Sequence, residues 1–178
     1  MNKKTVILKT KEIQNLIDNI TEKIINDNFE LKSLGFIGIL TRGVYIANRI
    51  ISKIKKIKKI DIPLGTLDIT FYRDDINSID KQPIAKETNI PFDINNKNII
   101  LVDDVLYTGR SIRCALDAIM DLGRPLKILL AVLIDRGHRE IPIQPDYCGK
   151  KIQTFYTDEI QVKLREIDKN DQILLIKK

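Results

Sequence analysis

Apolar residues recur at steps of three and four in the first part of the chain. Between Thr10 and Phe29 they fall at Ile13, Leu16, Ile17, Ile20, Ile24 and Ile25. This spacing places them on one face of an α-helix, and threonine is one of the residue types that cap helix N-termini. The pattern therefore predicts an amphipathic helix with Thr10 as its N-cap.

A strand, a turn and a second helix are predicted next. The run at 35–40 (GFIGIL) is short and apolar, as expected for a buried strand, and Thr41, Arg42 and Gly43 follow it. The apolar residues after this turn are Tyr45, Ile46, Ile50, Ile51 and Ile54. Their helical spacing predicts a second amphipathic helix that packs against the strand.

Strand and helix signals continue to alternate along the chain. The predicted elements are a half-buried strand at 64–72, a buried strand at 99–102, a polar turn at 103–110, a helix at 111–122, a buried strand at 128–134 and a terminal hairpin at 160–167 and 172–176. Residues 73–98 are largely polar with two prolines, which predicts a flexible loop of functional importance. Repeated strand–helix units with continuous apolar strands predict an α/β fold, a central parallel sheet flanked by helices.

Length and composition are those of one ordinary domain. The 178 residues, 43% hydrophobic and 30% charged, fit a single domain over 1–178. No apolar run approaches the roughly 18–20 residues that span a bilayer, and the N-terminus lacks the pattern of a signal peptide, so we expect a cytoplasmic protein without a membrane partner. The net charge of +6 favours phosphate or RNA ligands, but only weakly.

The strongest chemical signal is the segment 99–111 (IILVDDVLYTGRS). Asp103 and Asp104 end a buried strand, and ligands of open α/β sheets bind beyond the carboxyl ends of the strands. Adjacent carboxylates can accept hydrogen bonds from the vicinal hydroxyls of a ribose. Thr108, Gly109, Arg110 and Ser111 lead into the next helix, whose N-terminus attracts phosphate. The segment therefore predicts a site for a phosphorylated sugar.

A loop with these residues could instead do no more than cap the following helix, but the strand–turn–helix context favours a ligand site. The segment resembles the signature of type I phosphoribosyltransferases, which bind 5-phosphoribosyl-1-pyrophosphate (PRPP) with two acids and a phosphate loop of small residues. The resemblance implies that PRPP is bound by Asp103, Asp104, Val105, Leu106, Tyr107, Thr108, Gly109, Arg110 and Ser111.

The resemblance extends over nearly the whole chain. Residues 36–49, 67–75, 99–125, 131–140 and 146–150 are together similar to the PyrR family of bifunctional pyrimidine operon attenuators and uracil phosphoribosyltransferases. This implies the type I phosphoribosyltransferase fold with a small C-terminal hood, in which 135–178 contribute the hood and the terminal strands. It also implies a homodimer or a higher homo-oligomer.

The same resemblance implies roles for further residues. Thr41, Arg42 and Gly43 are similar to the family's pyrophosphate loop, where an unusual peptide geometry is common. Arg73 falls in the loop that closes over PRPP and is expected to stabilise the leaving pyrophosphate. The candidates for the hood over the base are Asp135, Arg136, Gly137 and His138, and the candidates for catalysis are Arg42, Arg73, Asp103 and Asp104. His138 is the only histidine, and a role in orienting the ligand is as consistent with its position as proton transfer.

The implied reaction converts uracil and PRPP to UMP and pyrophosphate. Mg²⁺ is expected to arrive bound to PRPP, without a direct protein ligand. Phosphoribosyltransferases for purines or orotate share the PRPP loop and differ in the hood, so the base remains open to these alternatives.

A second function follows from the same resemblance. Regulatory PyrR proteins bind a hairpin of the pyrimidine-operon leader mRNA through a basic face, for which Arg139 and Lys150 are candidates here. Asp18 and Glu22 stand where polar or basic residues are expected, and Gln144 stands where an arginine is expected. Acidic groups repel the RNA backbone. This weakens the prediction of UMP-responsive RNA regulation. The alternative is an RNA-binding attenuator whose nucleotide pocket is chiefly a sensor.

Overall fold

The computed structural model describes residues 3–27, 30–70 and 88–177. In chain order its elements are β1 (Lys3–Lys9), α1 (Thr10–Asn26), a 3₁₀ turn (Leu31–Ser33), β2 (Leu34–Ile39), α2 (Arg42–Lys58), β3 (Leu64–Leu67), β4 (Asn98–Leu106), α3 (Arg110–Leu122), β5 (Lys127–Asp135), β6 (Tyr147–Lys151), β7 (Glu159–Lys163), α4 (Arg165–Asp168) and β8 (Gln172–Lys177).

A parallel sheet of five strands, in the order β3-β2-β4-β5-β6, forms the centre of the protein. Alternate side chains of β4 face opposite layers, as the two-residue period of a strand requires. Ile100 and Val102 pack with α1 and α2, whereas Ile99 and Leu101 pack with α3. The predicted α/β fold, with helices on both faces of a parallel sheet, is confirmed.

A second, antiparallel sheet has the order β1-β8-β7. The predicted terminal hairpin is present as β7 and β8, with the short helix α4 between them. β1 was not predicted, because most of its side chains are exposed and give no alternating signal. It joins the sheet by pairing with β8, which lies far away in sequence.

Several predicted boundaries move in the structure. β4 runs on to Leu106, so that Asp103 and Asp104 belong to the strand and the polar turn shortens to 107–109. β3 ends at Leu67, well before the predicted end at residue 72. The prediction of Thr10 as N-cap is wrong. Lys9 occupies that position and its N–H donates to Glu12 at 2.9 Å, while the Thr10 hydroxyl donates to the Asp171 carbonyl at 3.3 Å.

The small sheet is tied to the central layer through Arg49 of α2. Its Nη2 donates to Glu166 Oε2 at 2.6 Å and to Asp171 Oδ1 at 2.7 Å, and its Nη1 donates to Asp171 Oδ2 at 3.0 Å. The side chains of Arg49 and Asp171 are only 9% and 4% exposed. This group, Arg49 with Glu166 and Asp171, fixes α4 and the start of β8 against α2.

Part of the predicted loop at 73–98 is described. Asn89 forms an isolated antiparallel bridge with Thr66, and β4 begins at Asn98. Residues 71–87 lie outside the described residues, so the flexible loop stays a prediction. Within the described ranges, no helix has the length and apolar character that crossing a membrane requires.

Candidate active site

A cavity of about 460 Å³ opens at the carboxyl end of β4. It is lined by Asp103, Val105, Leu106, Tyr107, Thr108, Gly109, Arg110, Ser111, Ile112, Cys114, Glu140 and Tyr156. Eight of these residues, Asp103 and 105–111, belong to the predicted sugar–phosphate segment. The parallel sheet therefore places the segment where ligands of such sheets bind.

Asp103 and Asp104 form an electrostatically strained pair beside this cavity. Asp103 Oδ1 accepts the N–H of Asp104, and Asp104 Oδ1 accepts the N–H of Val105, each at 2.9 Å. Burial and the negative charge of Asp104 raise the pKa of Asp103 well above its usual value. Burial also raises the pKa of Asp104, although the positive charge of Arg42 acts against it. Hydrogen-bond donors or a cation from a ligand would relieve this repulsion.

The turn before α3 forms the floor of the cavity. Gly109 has a φ of +94° and stands directly before the first helical residue, Arg110. The Thr108 side-chain oxygen accepts the Arg110 N–H at 3.3 Å, and the Arg110 guanidinium donates to Glu140 at 2.6 Å. The first N–H groups of a helix have no acceptor within the helix. The turn can therefore direct backbone donors at a phosphate.

The positive φ of Gly109 makes a clean test of this turn. A Cβ at this position would meet its nearest neighbour, Ile141, at 3.5 Å, which is ordinary contact. Gly109→Ala is therefore expected to cost only backbone strain, about 1–2 kcal/mol. Thermal or urea unfolding would measure the loss. A change of less than about 0.3 kcal/mol, set against the 1–2 expected from strain, would contradict the left-handed conformation.

Arg42 lies at the start of α2 and outside the lining of the cavity, near enough for its charge to act against the raised pKa of Asp104. The peptide bond between Leu40 and Thr41 is cis. A Cβ on Gly43 would collide with the backbone carbonyl of Val102, so only glycine lets α2 approach β4 this closely. Arg42 Nη2 donates to both carboxylate oxygens of Asp168, at 3.1 Å each. The structure thus brings the predicted pyrophosphate loop beside the acid pair.

The hood segment after β5 is a turn held by Asp135. Asp135 Oδ1 accepts the Gly137 N–H at 3.0 Å and Arg139 Nη2 at 2.7 Å. Gly137 and His138 both have positive φ, +77° and +61°. His138 Nε2 lies 2.8 Å from the Thr154 carbonyl oxygen. The lone histidine is thereby tied to the backbone of the chain segment after β6.

A cluster of side chains connects this hood turn to the predicted sugar–phosphate segment. The Arg136 guanidinium lies 3.9 Å from the centre of the Tyr107 ring, and its Nη2 donates to the carbonyls of Phe155 and Tyr156, at 3.3 Å each. Tyr107 and His138 each lie 5.8 Å, centre to centre, from the Tyr156 ring. Arg136, which is buried, thus packs between Tyr107 and the chain segment after β6.

Four cavity residues were not predicted as site residues: Ile112, Cys114, Glu140 and Tyr156. Glu140 closes the segment 131–140, which supported the resemblance, but its pairing with Arg110 depends on the folded chain. Tyr156 lies in a stretch without helical or strand periodicity, so nothing local indicates its position.

The residues considered for RNA binding lie in different settings. The Arg139 side chain is 13% exposed and also donates to the Tyr107 carbonyl at 2.8 Å, so it holds the hood turn against the predicted sugar–phosphate segment. Lys150 is exposed on the edge strand β6. Asp18 forms an ion pair with Lys53, and Glu22 and Gln144 are exposed. Arg73, which was predicted to act in catalysis and not in RNA binding, lies outside the described residues.

Among the described residues, no three His, Cys, Asp or Glu side chains come together in a group that could hold a metal ion.

Comparison with known proteins gives a consistent set of relatives. The phosphoribosyl transferase domain family matches residues 5–167. Proteins named "Bifunctional protein PyrR" are 49% identical in Deinococcus deserti, over 97% of this chain and 94% of the relative, and 51% identical in Elusimicrobium minutum, over 94% of each chain.

Among solved structures, a hypoxanthine phosphoribosyltransferase from Staphylococcus aureus aligns with a TM-score of 0.69 and 22% identity, over 95% of this chain and 90% of that one. A hypoxanthine-guanine phosphoribosyltransferase from Bacillus anthracis aligns with a TM-score of 0.70 and 17% identity, over 99% and 100%. At this sequence identity the two structures support the fold of this chain. They carry no argument about which base it uses.

Proposed function

The chain belongs to the phosphoribosyl transferase domain family and, within it, to the PyrR family, and from this premise we propose that it makes UMP and pyrophosphate from uracil and PRPP. The observation that carries the proposal is the cavity at the end of β4. It combines Asp103, one member of the acid pair, with a helix N-terminus that follows a glycine turn. Binding of a ribose phosphate needs acceptors for the ribose hydroxyls and donors for the phosphate, placed within the length of one small molecule.

The cavity supplies binding and orientation for this reaction. Asp103 and Asp104 accept hydrogen bonds from the ribose hydroxyls, and the turn from Thr108 to Ser111 binds the 5′-phosphate. Uracil N1 forms a bond to ribose C1 as the C1–oxygen bond to pyrophosphate breaks, and the N1 proton is released. Positive charge develops on the sugar ring in the transition state, so the nearby carboxylates stabilise it as well as hold the substrate.

Arg42 supplies positive charge on the pyrophosphate side. It lies close enough to Asp104 to oppose the rise in the pKa of that residue. A guanidinium offers several N–H donors in fixed geometry, which suits phosphate oxygens. Arg73, from the sequence, is proposed to add a second charge there.

Mg²⁺ fits this donor set when it arrives with PRPP. The acid pair carries unfavourable negative charge, as the raised pKa values of Asp103 and Asp104 indicate, and a nearby cation would stabilise it. When bound, Mg²⁺ would neutralise charge on the pyrophosphate oxygens.

A second function, UMP-responsive binding of pyrimidine-operon leader mRNA, is supported by the name "bifunctional" shared by the PyrR relatives. α1 packs against β6 on the face where a side chain at Gly149 would meet Leu16, so Lys150, the next residue of the strand, points to the opposite face of the sheet. Glu22 stands exposed on α1 and repels phosphate. We therefore place phosphoribosyl transfer first and RNA binding second.

The proposal is tested by incubating the protein with PRPP and Mg²⁺ and each of uracil, orotate, hypoxanthine and guanine. Nucleotide is expected from uracil alone, because this chain aligns with its PyrR relatives over nearly its full length. Product formation is measured by chromatography, with reactions lacking PRPP as controls.

Two outcomes would overturn this assignment. A nucleotide formed from a purine or from orotate, in place of UMP, would show that the protein transfers phosphoribose from PRPP but that uracil is not its substrate. No product from any base, with UMP still bound, would make the cavity a sensor. Salt-sensitive, UMP-strengthened binding to leader RNA would then place the second function first.

A further inference from the structure

The short helix α4 carries a carboxylate that reaches back to the proposed site. Asp168, its last residue, lies between β7 and β8 of the small sheet. Both of its carboxylate oxygens accept from Arg42 Nη2, at 3.1 Å. Their separation in sequence is 126 residues, so the contact is purely tertiary. It joins the pyrophosphate side of the site to the C-terminal hairpin.

Asp168 is itself held firmly. Its Oδ2 accepts the Leu164 N–H at 3.0 Å, and its own N–H donates to the Leu164 carbonyl at 2.7 Å. The helix on which it lies is held by Asp171, which accepts the Arg165 N–H at 2.8 Å, and by the contact between Glu166 and Arg49. Burial acts to raise the pKa of Asp168, but the Leu164 N–H and Arg42 outweigh it and lower the pKa. The carboxylate is therefore a fixed, ionised anchor at neutral pH.

The contact uses only one nitrogen of Arg42. Arg42 Nε is buried and has no hydrogen-bond partner among the described residues. A buried donor left without an acceptor is costly and usually indicates a missing ligand or water. The side chain as a whole is 29% exposed, so a ligand can reach the part of the guanidinium that lies beyond the buried Nε. The guanidinium is oriented through Nη2 and keeps donors for another anion.

We propose that Asp168 is a positioning residue for phosphoribosyl transfer: it holds the Arg42 guanidinium in the orientation that binds pyrophosphate. The inference rests on the proposed function and adds a residue to it from the opposite end of the chain. Asp168 itself does not touch the substrate. Pre-orientation lowers the entropy lost when a flexible arginine becomes ordered on its ligand.

The test uses Asp168→Asn, whose amide oxygen can still accept the Leu164 N–H but whose charge is gone. Affinities for PRPP, pyrophosphate and UMP are measured by calorimetry in the presence of Mg²⁺. Affinity for PRPP and pyrophosphate is expected to fall about tenfold, the effect of weakening one hydrogen bond between charged groups. UMP affinity should stay unchanged, because UMP has no pyrophosphate group.

Glu166→Gln is the matched control. It makes the same change two residues away on α4, at a residue that binds Arg49 and not Arg42. Asp171 still binds Arg49 and the Arg165 N–H, so α4 and the contact between Asp168 and Arg42 are expected to stay in place. It should leave all three affinities unchanged. In an Arg42→Ala background, Asp168→Asn should have no further effect on pyrophosphate binding, since the two residues act as one unit.

Equal losses for UMP and pyrophosphate, or equal losses in Glu166→Gln, would show a merely structural role and overturn the inference. Tighter pyrophosphate binding would also overturn it, because Asp168 would then compete with the ligand. The binding assays need no base, so a protein that makes no UMP but shows the expected pattern would fail the proposed reaction and still support the role of Asp168. Binding of UMP without pyrophosphate by the unmodified protein would overturn the role as well.

Discussion

Asp103→Asn is expected to lose most of the phosphoribosyltransferase activity while making the unliganded protein more stable. The variant removes a charged acceptor for a ribose hydroxyl, and such a hydrogen bond contributes about 1.5–3 kcal/mol, or roughly 10- to 150-fold in kcat/KM. It also removes the repulsion that, with burial, raises the pKa of Asp103. The amide oxygen can still accept the Asp104 N–H, so the local backbone contact survives.

The pH dependence of this stability has a definite sign. A carboxyl whose pKa is raised by folding destabilises the protein when it is ionised, so its cost is absent at low pH. The cost grows as the pH rises from the unfolded-state pKa through the raised pKa. The melting temperature of Asp103→Asn should therefore exceed that of the unmodified protein at pH 7–8, and the difference should shrink towards pH 4, near the unfolded-state value.

Asp117→Asn is the matched control for this experiment. Asp117 lies on α3 with its side chain 52% exposed and paired to Arg113, and it should change neither activity nor stability by much. Full activity in Asp103→Asn would reject the ribose role. A lower melting temperature at neutral pH would reject the electrostatic strain.

The sequence predicts the part of the site that is built from one continuous segment. Strand, acid pair, glycine turn and helix follow each other between Ile99 and Leu122, so local patterns are sufficient to place them. The segment lies in the structure where a sheet of this kind binds ligands. The main difference is the end of β4, since pairing with β5 continues through Asp103 to Leu106.

What the sequence could not predict depends on contacts between distant residues. β1 is a strand because β8 lies beside it, not because its own side chains alternate in burial. Tyr156 reaches the cavity from an irregular segment, and Asp168 reaches Arg42 from the far end of the chain. Such positions show no period and no motif, because only the folded chain brings them together.

The second large effect is expected for Asp171→Ala, which should destabilise the protein by about 3–5 kcal/mol. Removing one partner of a buried ion pair leaves the other charge buried and uncompensated. Arg49, only 9% exposed, would keep Glu166 but lose two hydrogen bonds. Asp171 Oδ1 also accepts the Arg165 N–H at 2.8 Å, so α4 would lose an anchor as well. Since each kcal/mol lowers Tm by about 2–4 °C in a domain of this size, calorimetry should find a fall of roughly 10 °C.

The Glu166→Ala variant tests how far the loss of stability depends on the burial of the carboxylate and how far on its pairing with Arg49. Glu166 binds the same guanidinium, but 26% of its side chain is exposed, so water can replace it in part and its loss should cost clearly less.

For Asp171, burial acts to raise the pKa, but Arg49 and the Arg165 N–H outweigh it and lower the pKa. Its stabilisation is therefore present above the unfolded-state pKa and is lost as the pH falls through the lowered pKa. The gap in melting temperature between Asp171→Ala and the unmodified protein should narrow in acid. Equal costs for the two variants, or a gap independent of pH, would mean that the ionic contacts of Arg49 do not hold α4 against α2.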